Sequence, residues 1–134
     1  MYRPATLAEL ASKLATDPAL WDRLLAGFLD TFYMTPARRQ LMIDDEPGWL
    51  DHPIFDASLG AIAEHLARRW DLTIPAWTED QRRFLAAPHF PTPLEDLKPL
   101  LIAQSPLAFR RRLIFVEHEP LSRARMPRAV ATTD

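Results

Sequence analysis

The residues best equipped for chemistry lie in the run Phe109-Arg110-Arg111-Arg112, which leads into Leu113-Ile114-Phe115-Val116. A guanidinium is permanently charged and grips carboxylates or phosphates through two parallel hydrogen bonds, which lysine cannot reproduce. Successive residues of a helix point about 100° apart, so three adjacent arginines cannot all face one ligand. At least one must turn inward, where an unpaired guanidinium is too costly to keep. The carboxylates expected to meet it are Asp51, Asp56 and Glu64. An outward arginine stays free. Arg110, Arg111 and Arg112 are therefore the candidate partner-binding cations. Trp77, His89 and Phe90 are expected beside them as exposed anchors, because buried aromatics and arginines carry most interface energy.

Other chemistries are poorly supplied. His52, His65, His89 and His118 are scattered, with none four residues from another, so no metal site is expected. Cysteine is absent, which removes thiolate ligands, thiol nucleophiles and disulfides. Ser12, Ser58, Ser105 and Ser122 lack the flanking glycines of a strained nucleophile elbow. Ser105 is instead expected to cap the helix that starts at Pro106. Asp44, Asp45 and Glu46 are adjacent on a loop, where carboxylates rarely converge, so a solvated loop is the expectation. Three glycines are too few for a phosphate-cradling loop. No catalytic residue, metal or cofactor is expected, and the chain points to binding rather than turnover.

The elements that must position these residues are marked by proline. Of the 13 prolines, those in Asp17-Pro18, Thr35-Pro36, Thr92-Pro93 and Ser105-Pro106 each follow a capping residue, and His52-Pro53 is a weaker version. Thr6 with Glu9, Thr78 with Gln81 and Thr92 with Glu95 have the spacing of capping boxes. These starts, with apolar residues recurring every three to four positions, predict helices over 7–15, 18–33, 36–43, 53–70, 79–86, 93–103 (kinked at Pro99) and 106–112. Helix 18–33 has the widest apolar arc and is expected to be the central one, buried on two sides. Residues 113–116 are too few for periodicity to separate helix from an extended segment. The predicted fold is all-α, a bundle of six to seven short helices. It forms one domain over 1–126, followed by a flexible tail over 127–134.

Charge is unevenly spread over the 134 residues, whose formal net is −2. Residues 1–60 hold 5 Lys or Arg and 9 Asp or Glu, a net of −4; residues 61–134 hold 11 and 9, a net of +2. Basic charge concentrates in 105–128. A nucleic-acid binder would present a broader basic surface, so autonomous binding to DNA or RNA is not expected. No apolar run approaches the roughly 20 residues of a membrane span, and no apolar signal core follows Met1. A cytoplasmic protein with no membrane partner is the expectation.

One resemblance emerges from these residues. It rests on Ala63-Glu64-His65-Leu66-Ala67-Arg68-Arg69-Trp70, Ile74-Pro75-Ala76-Trp77, Phe84-Leu85-Ala86-Ala87-Pro88-His89-Phe90 and Ser105-Pro106-Leu107-Ala108-Phe109-Arg110-Arg111-Arg112-Leu113-Ile114-Phe115-Val116. This order resembles a bacterial family of small all-α proteins. It also looks like the C-terminal domain of actinobacterial helix-turn-helix regulators, and such proteins resemble antitoxins encoded beside nucleotidyltransferase-like toxins. The likeness covers about residues 53–125, and, unlike in the regulators, no separate helix-turn-helix is expected ahead of residue 1. It implies an antitoxin-like module that binds and neutralises a cognate toxin by blocking its site, with arginines engaging acidic groups. A transcriptional regulator or regulatory domain is the alternative, and a small enzyme or ligand-binding protein the third.

Overall fold

The computed structural model describes residues 2–124, 126 and 127. Its first helix, α1 (Leu7–Thr16), is opened by the predicted box: Thr6 Oγ1 accepts from the Glu9 N–H, and Glu9 accepts in turn from the Ala5 N–H. Leu7, Leu10, Ala11 and Leu14 form its buried stripe. Proline at the next two starts produces a single 3₁₀ turn before the α-helix sets in. Pro18–Leu20 precedes α2 (Trp21–Met34), and Pro36–Arg38 precedes α3 (Arg39–Asp44). Helix α4 (Pro53–Arg69) begins directly at its proline, with His52 Nδ1 accepting from the Phe55 N–H. It ends with Asp71 at φ 59°, a conformation usually left to glycine, which lets the Leu72 N–H reach the Ala67 carbonyl.

The second half is looser than expected. The helix predicted over 79–86 is absent. Two 3₁₀ turns, Ala76–Glu79 and Gln81–Arg83, stand there instead, separated by Asp80 in an extended conformation. Thr78 does not cap: its hydroxyl donates back to the Pro75 carbonyl. Local capping propensity loses here to a tertiary demand, since Arg83 is drawn fully inward against α4. The helix predicted over 93–103 is shorter. After a 3₁₀ turn at Glu95–Leu97, α5 runs Lys98–Gln104, so Pro99 sits in its first turn and produces no kink. Helix α6 is one turn, Leu107–Arg110, and Ser105 does not cap it. The Ser105 hydroxyl instead donates to the Leu101 carbonyl and accepts from the Val116 N–H, clasping α5 to the chain beyond α6.

Leu113 (φ 62°) turns the chain out of α6. Residues 114–115 are extended, and Ile114 makes a short parallel bridge with His89. Of the extended segment considered for 113–116, the structure shows this single bridge at Ile114, with Leu113 in the turn before it. No strand or sheet is formed among the described residues, and the architecture is all-α with six helices. The predicted tail lies, from Arg128 onward, outside the described residues.

The centre of the core is α4, not α2. Helix α2 buries Leu24, Gly27, Phe28, Leu29, Asp30, Phe32 and Tyr33. Helix α4 buries Leu59, Ile62 and Leu66 and, on another stripe, Asp56, Gly60, Ala63, Glu64 and Ala67. That second stripe holds small or charged residues, so the sequence gives it the signature of a surface. It is covered by α6 and the two 3₁₀ turns.

Candidate functional site

Gly60 and Glu64 are one turn apart on α4, and the space above Gly60 admits two arginines. A Cβ on Gly60 would stand 3.0 Å from Arg83 Cβ and 3.1 Å from Arg112 Nε. Arg112 is fully buried, as the inward-turning member of its run must be. Its Nη1 donates to Glu64 Oε1 at 2.6 Å and to the Ala108 carbonyl at 2.8 Å, and its Nη2 donates to the Thr78 carbonyl at 2.6 Å. Glu64 is equally buried. Its Oε2 accepts from Arg111 Nη1 at 2.7 Å and from Arg68 Nε at 2.8 Å. Arg111 then spans to Glu79 through 2.8 and 3.1 Å bonds. Burial alone would raise the Glu64 pKa, but the hydrogen bonds from Arg112, Arg68 and Arg111 outweigh it and hold the carboxyl below its ordinary value. Burial pulls Arg112 down, and Glu64 opposes that pull.

A second buried cation lies one layer away. Arg83 donates to the Pro47 carbonyl at 2.8 Å and reaches the Asp56 carbonyl at 3.3 Å. Its guanidinium carbon is 3.9 Å from the Trp49 ring centre and 4.9 Å from that of Trp77, a cation–π arrangement on both rings. Glu46, exposed in the loop after α3, approaches it at 3.5 Å; Asp44, expected in that loop, is the last residue of α3.

This cluster cannot serve as an acid–base centre. Both Glu64 oxygens are occupied, no face of the carboxyl reaches solvent, and the group stays ionised. It is a strut that ties α4, α6 and the 76–79 turn together. His65, beside it, packs edge-on against Phe109 and is pushed down to about 4 by burial, so it is neutral at pH 7. Among the described residues no three His, Asp or Glu side chains come together to hold a metal ion.

The six candidate partner-binding residues fare unevenly. Arg110 is exposed, and its Nη2 donates to the Ser105 carbonyl at 2.9 Å. The Arg111 side chain is 30% exposed and committed to two glutamates. Arg112 offers a partner no surface at all, which corrects the expectation that it could face one. Trp77 is half-buried with its indole N–H donating to the Ile43 carbonyl. His89 is half-buried in the bridge to Ile114, where burial and then His52 lower its pKa. Phe90 is half-buried and stacks on Phe115. The three expected exposed anchors are thus parts of the packing.

A surface that the sequence reading did not single out stands elsewhere. Leu94, Leu97, Leu100, Ile102 and Leu107 are 57, 37, 50, 47 and 48% exposed, all within 14 residues around α5. Only Leu101 of α5 is buried. A groove of about 390 Å³ runs beside it, lined by Leu97, Leu100, Leu101, Phe115, Val116 and Pro120 among others. The available signal was the uninterrupted apolar run Pro99–Ala103, which has no polar side at helical spacing. No family model, curated protein or solved structure matches this chain. No helix among the described residues is long and apolar enough to cross a membrane.

Proposed function

We propose that this protein is an interaction module that acts by docking on another protein rather than by catalysis, and that α5 is its contact surface. One observation carries the reading. Helix α5 is apolar on every side from Pro99 to Ala103 yet packs inward through Leu101 alone. A helix of that pattern belongs in an interior, and clustered exposed leucines mark an interaction site. The sharper form follows from the resemblance of the 105–116 motif: an antitoxin-like protein that binds a toxin, of nucleotidyltransferase type, and blocks its site. In this form the contact is apolar at its centre. Arg110 serves at the rim, and Arg111 and Arg112 hold the fold.

The test is a photo-reactive amino acid placed at Leu100 in the native host, with Arg38, an exposed residue of the 36–38 turn, as the control position. One protein cross-linked from Leu100 and not from Arg38 is expected. Its expression alone should arrest growth, and co-expression with this chain should restore it. A Leu100 position that cross-links to no other protein overturns the docking reading; a partner that is harmless alone overturns the antitoxin form.

A further inference from the structure

The apolar face of α5 needs a cover when the partner is absent, and its charges suit a second copy of itself. Asp96, in the 3₁₀ turn ahead of α5, is exposed and has no cation paired with it among the described residues. Glu95 beside it holds Lys98 at 2.9 Å. At the far end Arg110 is exposed and, among the described residues, bonded to the Ser105 backbone carbonyl and to no carboxylate. By helical spacing Leu97, Leu100 and Ala103 share one side of α5 between these opposite charges, while Ile102 points away from Leu100. A surface with an acid at one end, a base at the other and apolar residues between is self-complementary under a two-fold axis, which is the condition for an isologous dimer.

We infer that the free protein forms a two-fold homodimer in which α5 packs antiparallel on α5 of a second copy, with Asp96 of each chain facing Arg110 of the other. The inference rests on the reading of α5 as the contact surface and adds what occupies it before a partner arrives. Self-pairing and partner binding then compete for one helix.

Sedimentation velocity of the purified chain over about 1–200 µM tests this. A monomer–dimer equilibrium is expected. Leu100→Asp should weaken it by at least roughly 30-fold without lowering the melting temperature, because Leu100 is half exposed and its loss leaves the interior intact. Asp96→Arg and Arg110→Asp should each weaken it about tenfold by setting like charges opposite one another. An equimolar mixture of those two variants should recover dimer, since each chain supplies what the other lost. A chain that stays monomeric at 200 µM, a dimer indifferent to Leu100→Asp, or a mixture no tighter than its components overturns the inference. A monomer that still cross-links to a foreign protein from Leu100 fails this inference and leaves the proposed function standing.

Discussion

Arg112 Nη1 stands 2.6 Å from Glu64 Oε1, with both side chains wholly withdrawn from water. The two residues are 48 positions apart, so this one contact fixes where the arginine run lies on α4. A buried pair of this kind adds little over a well-packed apolar pair, but losing one partner strands the other.

That asymmetry sorts the three arginines. Arg112→Ala should cost about 3–5 kcal/mol in urea unfolding, because Glu64 would lose the bond to Oε1 and the Thr78 and Ala108 carbonyls would lose their donor. Arg110→Ala, which among the described residues loses one hydrogen bond, to the Ser105 carbonyl, from an exposed side chain, should stay within about 0.5 kcal/mol of wild type. Equal losses for the two would refute the assignment of inward and outward roles.

Gly60→Ala offers a sign test. In an exposed helix that change gains up to about 1 kcal/mol. Here the added carbon meets Arg83 Cβ at 3.0 Å and the Arg112 guanidinium at 3.1 Å, and both arginines are pinned by several bonds. A loss of about 1–3 kcal/mol is expected from thermal or urea unfolding. A gain would show that the slot over Gly60 is slack.

The Glu64 node also explains how far the sequence was legible. The arc-and-cap pattern located α1, α2 and α4, and the rule that one of three adjacent arginines must turn inward pointed to Asp51, Asp56 or Glu64, of which Glu64 is the partner. Helix 18–33 looked central because its apolar arc is the widest, whereas the Asp56, Gly60, Ala63 and Glu64 stripe of α4 is small or charged and owes its burial to Arg83 and Arg112. Pairing across 48 residues leaves no local trace. The same blindness affected Thr78-Gln81, where a good capping box was overridden by the pull of Arg83 into the Trp49 and Trp77 rings. The α5 surface was readable in principle from Pro99–Ala103, but an apolar run alone does not say which side it buries.

His65 sets a pH window. Burial holds its folded-state pKa at about 4, below the ordinary 6.5, with Arg69 adding to the shift and Glu119 opposing it. The unfolded chain takes up a proton that the folded chain refuses. The contribution is therefore full above pH 6.5 and lost as pH falls from 6.5 towards 4, by up to about 2–3 kcal/mol. Glu64, whose pKa is depressed, adds its own loss only below its ordinary 4.5, where the unfolded chain takes up a proton that the folded carboxylate still refuses. Urea titrations at pH 7.5, 6.0 and 5.0 should show wild type weakening while His65→Gln stays flatter. Parallel slopes would assign the effect to another group.

Phe28 is fully buried in α2 and lies 6.1 Å, centre to centre, from the Phe32 ring. Phe28→Ala should cost about 3–5 kcal/mol, the range for removing an aromatic ring from a packed core. A melting temperature within a degree or two of wild type would place α2 at the periphery.

Helix α5 is the proposed contact surface on which partner binding depends. The most direct measurement is calorimetric titration of the partner identified by cross-linking into wild type, Leu100→Asp and Arg111→Ala at matched folded concentrations. Docking through α5, as proposed, predicts a defined stoichiometric complex that Leu100→Asp weakens by at least roughly 30-fold, about 2 kcal/mol, while Arg111→Ala binds nearly as wild type. Undiminished binding by Leu100→Asp, with the loss appearing in Arg111→Ala instead, would contradict it and return the interface to the arginine segment.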